Sequence, residues 1–291
     1  MVIAIVGGGA SGLIAAIAAS KSPGCQVHIL ERQSRVGRKL LATGNGRCNL
    51  TNTGLSIHAY HGEQPDFADP SLQNFGLKKT LSFFQHLGLL TVADDTGRVY
   101  PWSDQAGSVV DVLRFALEKP NVHLHTGAEV TQIRRQPDGR FLLSFGKETL
   151  AADRVIAACG GLAGTSLGGS MAGYQLLKPL GHRCTKLRPA LVQLKSSYPR
   201  CASLKGIRAV CHLRLTKDQE TVAETQGEVQ FTAYGLSGPA IFEISRDACA
   251  EPGDWACHLD LLPGITPPAL VDLLTRRKEQ CPGLPAEHLL N

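Results

Sequence analysis

Three glycines spaced Gly7-x-Gly9-x-x-Gly12 stand between the apolar run Val2 to Val6 and the Ala-rich stretch Leu13 to Ala19. The short β-branched run reads as a buried strand and the Ala-rich stretch as a helix of strong helix formers, which places the glycines at a strand-to-helix turn. Gly7 allows the tight turn, Gly9 lets the backbone approach a diphosphate with no Cβ in the way, and Gly12 permits close helix packing. A diphosphate at this turn meets the N–H groups and dipole of the helix N-terminus, starting at Ala10 and Ser11, and Ser11 adds a hydroxyl.

The pattern is completed by Gln26 to Leu30, a second apolar strand that ends at Glu31, followed by Arg32. A carboxylate about twenty residues past the third glycine accepts both ribose hydroxyls of an adenosine and repels a 2′-phosphate, which disfavours NADP in this site. FAD and NAD present the same ADP half, so the fingerprint does not separate them. The rest of the chain favours FAD. A plain dehydrogenase would continue with βαβ units, whereas residues 32–52 form a long Gly-, Asn- and Arg-rich loop and a β-meander follows later.

Composition excludes several other classes. The chain has 291 residues and a formal charge of +5 with no Lys/Arg block, so nucleic acid is not indicated. Its nine cysteines include no Cys-x-x-Cys pair and read as reduced cytosolic thiols rather than a disulfide framework or a zinc site. His123-x-His125 is most simply one face of a strand. No run approaches the roughly 18 apolar residues that a membrane span needs. The expectation is a cytoplasmic protein with a small-molecule substrate, no membrane partner and no metal.

Further along, Leu77 to Leu87 and Ser108 to Leu117 have helical periodicity, with a strand and turn at Gly97 to Pro101 between them. Val122 to Leu124, Glu129 to Arg135, Phe141 to Phe145 and Arg154 to Ala158 read as one meander, with a hairpin at Pro137-Asp138-Gly139. From Arg188 the character changes. Ala209 to Leu215 and Val222 to Phe231 read as antiparallel strands, Ser237 to Ala248 as a helix capped by Ser237, Trp255 to Leu261 as a strand and Pro267 to Gln280 as a helix.

The segment Gly37-Arg38-Lys39-Leu40-Leu41-Ala42-Thr43-Gly44-Asn45-Gly46-Arg47-Cys48-Asn49-Leu50-Thr51-Asn52 closely resembles the YhiN-like (BaiN/RdsA-type) NAD(P)/FAD-dependent oxidoreductases. The likeness continues through Gly97 to Pro101, Gly160-Gly161, Gly173-Tyr174, Leu180-Gly181-His182, Phe231-Thr232 and Gly235 to Ala240. It implies an α/β architecture: a Rossmann-like FAD-binding domain of glutathione-reductase type over 1–187, an inserted antiparallel β-rich domain over 188–262, and the start of a small helical domain over 263–291. It also implies that Gly7, Gly9, Ser11 and Gly12 hold the pyrophosphate, Glu31 holds the ribose, and the Gly37 to Leu40 turn runs beside the flavin. Arg38 and Lys39 offer cationic donors to a phosphate or a reduced flavin, while Asn45, Gly46 and Asn49 offer amide contacts. Val130 resembles the position whose backbone recognises adenine, and Gly160 and Gly161 keep a small-residue strand end. Cys48, between Arg47 and Asn49, has no partner thiol nearby and reads as a packed loop cysteine.

Three positions depart from the family pattern. Ala158-Cys159-Gly160-Gly161 stands for Ala-Thr-Gly-Gly, Phe231-Thr232-Ala233 stands for Phe-Thr-His, and the family's return strand and helix, which finish the flavin site, would lie past residue 291. The first expectation is a flavin enzyme that passes a hydride from NAD(P)H to a small organic acceptor. A non-catalytic nucleotide-binding remnant and an NAD-dependent dehydrogenase remain the alternatives.

Overall fold

Val2–Val6 forms β1, buried from Ile3 to Val6. Its run of branched apolar side chains suits the centre of a parallel sheet covered on both faces. A computed structural model describes residues 1–288 and divides into two compact units at the junction of Cys184 and Thr185. Residues 289–291 of the expected 263–291 segment lie outside the described residues.

In the first unit, α1 (Ala10–Ala19) carries the chain from β1 to β2 (Gln26–Glu31), and the two strands pair in parallel from Val2↔Gln26 to Val6↔Leu30. Arg154–Ala157 adds to the other side of β1 and Val122–Thr126 to the other side of β2, both parallel. Side-chain alternation then sorts the core. Ile3, Ile5, Val27 and Ile29 pack with Ala16 of α1, whereas Ala4, Val6 and Leu30 face Val130, Ile133, Leu143 and Phe145. Those last four belong to an antiparallel sheet of Val130–Arg135, Phe141–Phe145 and Glu148–Ala152. The first unit therefore has a Rossmann-like three-layer plan of helices, parallel sheet and antiparallel sheet.

Three sequence expectations need correction. The expected four-strand meander separates: Val122–Thr126 and Arg154–Ala157 join the parallel sheet, and the third strand of the antiparallel sheet is Glu148–Ala152. The loop 32–52 contains a short helix, α2 (Arg38–Ala42), entered from Gly37 at φ 71°. The helix read from Ser237 starts at Pro239 behind Gly238, and Ser237 belongs to the strand Gly235–Ser237.

The second unit is built on a five-stranded antiparallel sheet, in the order Leu194–Lys195, Gly235–Ser237, Glu220–Thr232, Arg208–Lys217, Trp255–Asp260. The helix Pro239–Ala248 buries Ala240, Ile241 and Ile244 against Cys211, Leu213, Leu215 and Val229 of that sheet. Helix Pro267–Gln280 follows, its N-terminus capped by the Thr266 side chain, which accepts the Ala269 amide at 3.4 Å.

Candidate functional site

The three fingerprint glycines occupy different environments. Gly7 has φ 112°, and a Cβ there would lie 2.3 Å from the Ala158 carbonyl oxygen; a Cβ on Gly12 would lie 1.9 Å from the carbonyl oxygen of Gly7. Both therefore serve close backbone packing. A Cβ on Gly9 would meet nothing within 4 Å, because Gly9 faces open space at the N-cap of α1. No side chain caps this end and no acidic residue stands in the first turn, so the positive end of the helix is left for something else.

That end opens onto a cavity of about 680 Å³. Gly7, Gly9, Ala10 and Ser11 line it at the glycine turn, and Glu31 and Arg32 line it where β2 ends. Gly37, Arg38, Lys39, Leu40 and Asn49 contribute from the segment after β2, and Val130 and Gly160 from further along the chain. Gly12 is buried in the helix packing, Asn45 and Gly46 are exposed and off the lining, and Gly161 lines a separate small pocket beside Tyr174.

Glu31 is held by backbone. Its Oε2 accepts the Gly8 amide at 2.6 Å and its Oε1 accepts the Gln33 amide at 2.8 Å. An ionised carboxylate has about four acceptor positions, so two amides orient it and leave acceptor capacity toward the cavity. Gly8, not singled out in the sequence, is required for this contact: a Cβ there would lie 2.7 Å from Val36 Cγ1 and 3.1 Å from Glu31 Cβ.

The cations after β2 make contacts that the sequence did not disclose. Arg32 donates to the Gly168 carbonyl and, at 3.2 Å, to Ser170 Oγ. Arg38 donates to Gln33 Oε1 at 2.9 Å and to the Ser166 carbonyl at 3.3 Å, and Lys39 Nζ to the Ala163 carbonyl at 2.6 Å. Three cations thus tie residues 163–170 to one rim of the cavity. Arg35 also lines the cavity and was missed, because one arginine in a polar loop carries no periodic signal.

The stretch after α2 turns back through left-handed backbone at Gly44, Asn45, Gly46 and Cys48. Arg47 clamps it: its guanidinium stacks 3.8 Å from the centroid of the Tyr100 ring and pairs with Asp104. The guanidinium is thereby engaged away from Cys48. Burial raises the pKa of the Cys48 thiol, with the Thr43 hydrogen bond opposing, and burial likewise raises that of Cys159, the other thiol on the lining. Both favour the protonated form, which is the poorer nucleophile. Among the described residues, no group of three or more His, Cys, Asp or Glu side chains is placed to hold a metal ion, and no helix is long and apolar enough to cross a membrane.

Fold and cavity define a Rossmann-like FAD-binding protein of the flavin oxidoreductase class. The chain belongs to the family described as HI0933-like protein Rossmann domain, which matches residues 1–241, in agreement with the resemblance carried by residues 37–52. It is 42% identical over 284 residues to the 3-dehydro-bile acid delta(4,6)-reductase of Clostridium scindens, covering 96% of this chain and 69% of the relative. It is 30% identical over 288 residues to the ribosomal RNA dihydrouridine synthase of Escherichia coli, covering 99% of this chain and 68% of the relative. Among solved structures, the open conformation of a flavocytochrome c3 fumarate reductase matches 72% of this chain and 46% of its own, with a TM-score of 0.46 and 13% identity.

Proposed function

We propose that this protein is a cytoplasmic FAD-dependent oxidoreductase that takes a hydride from NAD(P)H and reduces a small alicyclic molecule carrying a carbon–carbon double bond conjugated to a carbonyl. The observation that carries this reading is the uncapped α1 N-terminus, which faces the cavity at Gly9 beside the oriented Glu31 carboxylate. An ADP group needs this pair: helix amides for its diphosphate and a carboxylate for its ribose. The 42% identity to a bile-acid reductase supports the substrate class.

On this reading, Gly7, Gly9, Ala10 and Ser11 hold the diphosphate, Glu31 the ribose and Val130 the adenine edge. Gly37 to Leu40, Asn49 and Gly160 line the flavin end. When bound, FAD supplies the two-electron hydride chemistry. The protein's part is to bind, orient and exclude water. Arg32, Arg38 and Lys39 contribute by holding residues 163–170 over the rim, and Arg35 supplies a cation to the diphosphate side. We assign this role to residues 1–187, with 188–262 as an inserted β-rich domain and 263–291 as the start of a helical one.

The visible spectrum of the purified protein tests the proposal. Flavin bands that bleach on anaerobic addition of NADH or NADPH are expected. A colourless protein that takes up no added FAD would overturn it.

A further inference from the structure

We propose that Phe75 and Phe83 form an aromatic clamp at the cavity mouth that grips the uncharged ring skeleton of the substrate and so determines specificity. This assignment rests on the reductase reading above and adds the residues that select the substrate.

The cavity changes character along α1. At the N-terminus its lining is glycine backbone with Glu31 and the cations. One turn on, at Ile14, it becomes apolar, with Val109 and Leu113 of the helix Ala106–Phe115 and Phe84 of the helix Leu77–His86 as its floor. Val109 and Leu113 are fully buried and Phe84 nearly so.

Phe75 differs from that floor. It lines the same cavity yet stays 48% exposed, standing edge-on to Phe83 at 6.2 Å between centroids, while Phe83 meets Phe84 at 5.2 Å. Gly76 sets this position: a Cβ there would lie 2.6 Å from the Leu72 carbonyl oxygen, so the chain can turn sharply between Phe75 and the helix that carries Phe83. A half-exposed phenyl beside an apolar cavity has surface left to bury, and an apolar ligand that covers it is held by the hydrophobic effect.

Thr43, Asn49 and Thr80 add neutral polar groups to the same lining. Of the cations on the lining, Arg32, Arg38 and Lys39 are engaged by Gly168, Ser170, Gln33, Ser166 and Ala163. A flat, uncharged carbocycle with a carbonyl oxygen suits such a lining.

The test is equilibrium dialysis of the purified protein against a radiolabelled 3-oxo-4,6-diene bile acid, after its flavin content has been read from the visible spectrum. Phe75→Ala and the ring-removing but still apolar Phe83→Leu are each expected to weaken steroid retention about tenfold, the effect of losing ~1.4 kcal/mol of anchor contact. Flavin absorbance per mole of protein stays at the wild-type value in both variants, the melting temperature of Phe75→Ala stays at the wild-type value, and Phe75→Trp retains the steroid. Unchanged retention in both variants, or a loss of flavin in step with the steroid, would overturn the clamp. So would retention of a uridine-containing RNA fragment in place of the steroid. A colourless wild type that still binds steroid through Phe75 would remove the flavin reading and leave the clamp standing.

Discussion

Glu31 and Gly8 are locked together across the ends of two neighbouring strands: the carboxylate oxygen that accepts the Gly8 amide at 2.6 Å would lie 3.2 Å from any Cβ placed on Gly8. The acid is therefore a structural part of the turn as well as a ligand group. Glu31→Ala strands the Gly8 and Gln33 amides together. Hydrogen bonds to a charged acceptor are worth about 1.5–3 kcal/mol each, so FAD affinity is expected to fall by about ten- to a hundredfold. Fluorescence titration of the apoprotein with FAD measures this. Glu31→Gln, which keeps one carbonyl acceptor, falls in between. Equal affinity in all three proteins would remove Glu31 from the site.

Gly9 and Gly12 belong to one motif and predict opposite phenotypes. Gly12→Ala drives a Cβ to within 1.9 Å of backbone, so the turn must open. An overpacked core position costs about 1–3 kcal/mol and occasionally more, which lowers Tm by ~3 °C or more in a domain of this size. Gly9→Ala meets no protein atom within 4 Å and has an ordinary negative φ, so Tm stays near wild type while the methyl stands in the cavity. FAD binding is expected to weaken in Gly9→Ala with the fold intact. Calorimetry and flavin titration on the two variants separate packing from binding.

Much of the first βαβ unit was legible because its signals are local. Glycine spacing, an Ala-rich helix and a terminal acid all lie within the first 31 residues. The sheet order was not legible, since a short run such as Val122–Thr126 pairs equally well with a hairpin neighbour or with β2, and only three-dimensional packing decides. Glu148–Ala152 was missed because its sequence, Glu-Thr-Leu-Ala-Ala, has little β-branched content. The partners of Arg32, Arg38 and Lys39 lie more than a hundred residues away, at carbonyls and a hydroxyl that carry no sequence signature. Phe83 falls within the helical periodicity of residues 77–87, and Phe75, just ahead of it, carries no periodic signal. Their shared role depends on the bend at Gly76, which is a property of the folded chain.

Cys257 predicts an alkaline limit in the second unit. Burial, with the neighbouring Cys211 adding, pushes its thiol up to about 11. An unfolded thiol ionises near 8.5, so between pH ~8.5 and about 11 the unfolded chain releases a proton that the folded chain keeps. Stability from this group is complete below the unfolded value and is lost as pH rises through the window. Tm measured from pH 8 to 11 should fall less steeply in Cys257→Ala than in wild type. Parallel curves would show that the thiol contributes nothing to the alkaline limit.

His28 predicts the opposite limit, in the first unit. Its ring stacks on His123 with centroids 4.6 Å apart, and its Nδ1 lies 3.1 Å from Nε2 of His125. Burial lowers its pKa, and the two neighbouring imidazoles lower it further. Gln26 Oε1 lies 2.9 Å from His123 Nε2, and the Phe145 ring stands against His125. The folded state therefore binds fewer protons than the unfolded state below pH ~6.5, and stability present above that pH is lost as pH falls. Tm should drop more between pH 7 and pH 5 in wild type than in His28→Leu, which keeps the side chain's bulk but removes the central base. Equal slopes for the two proteins would mean that the patch is solvated well enough to accept its protons without penalty.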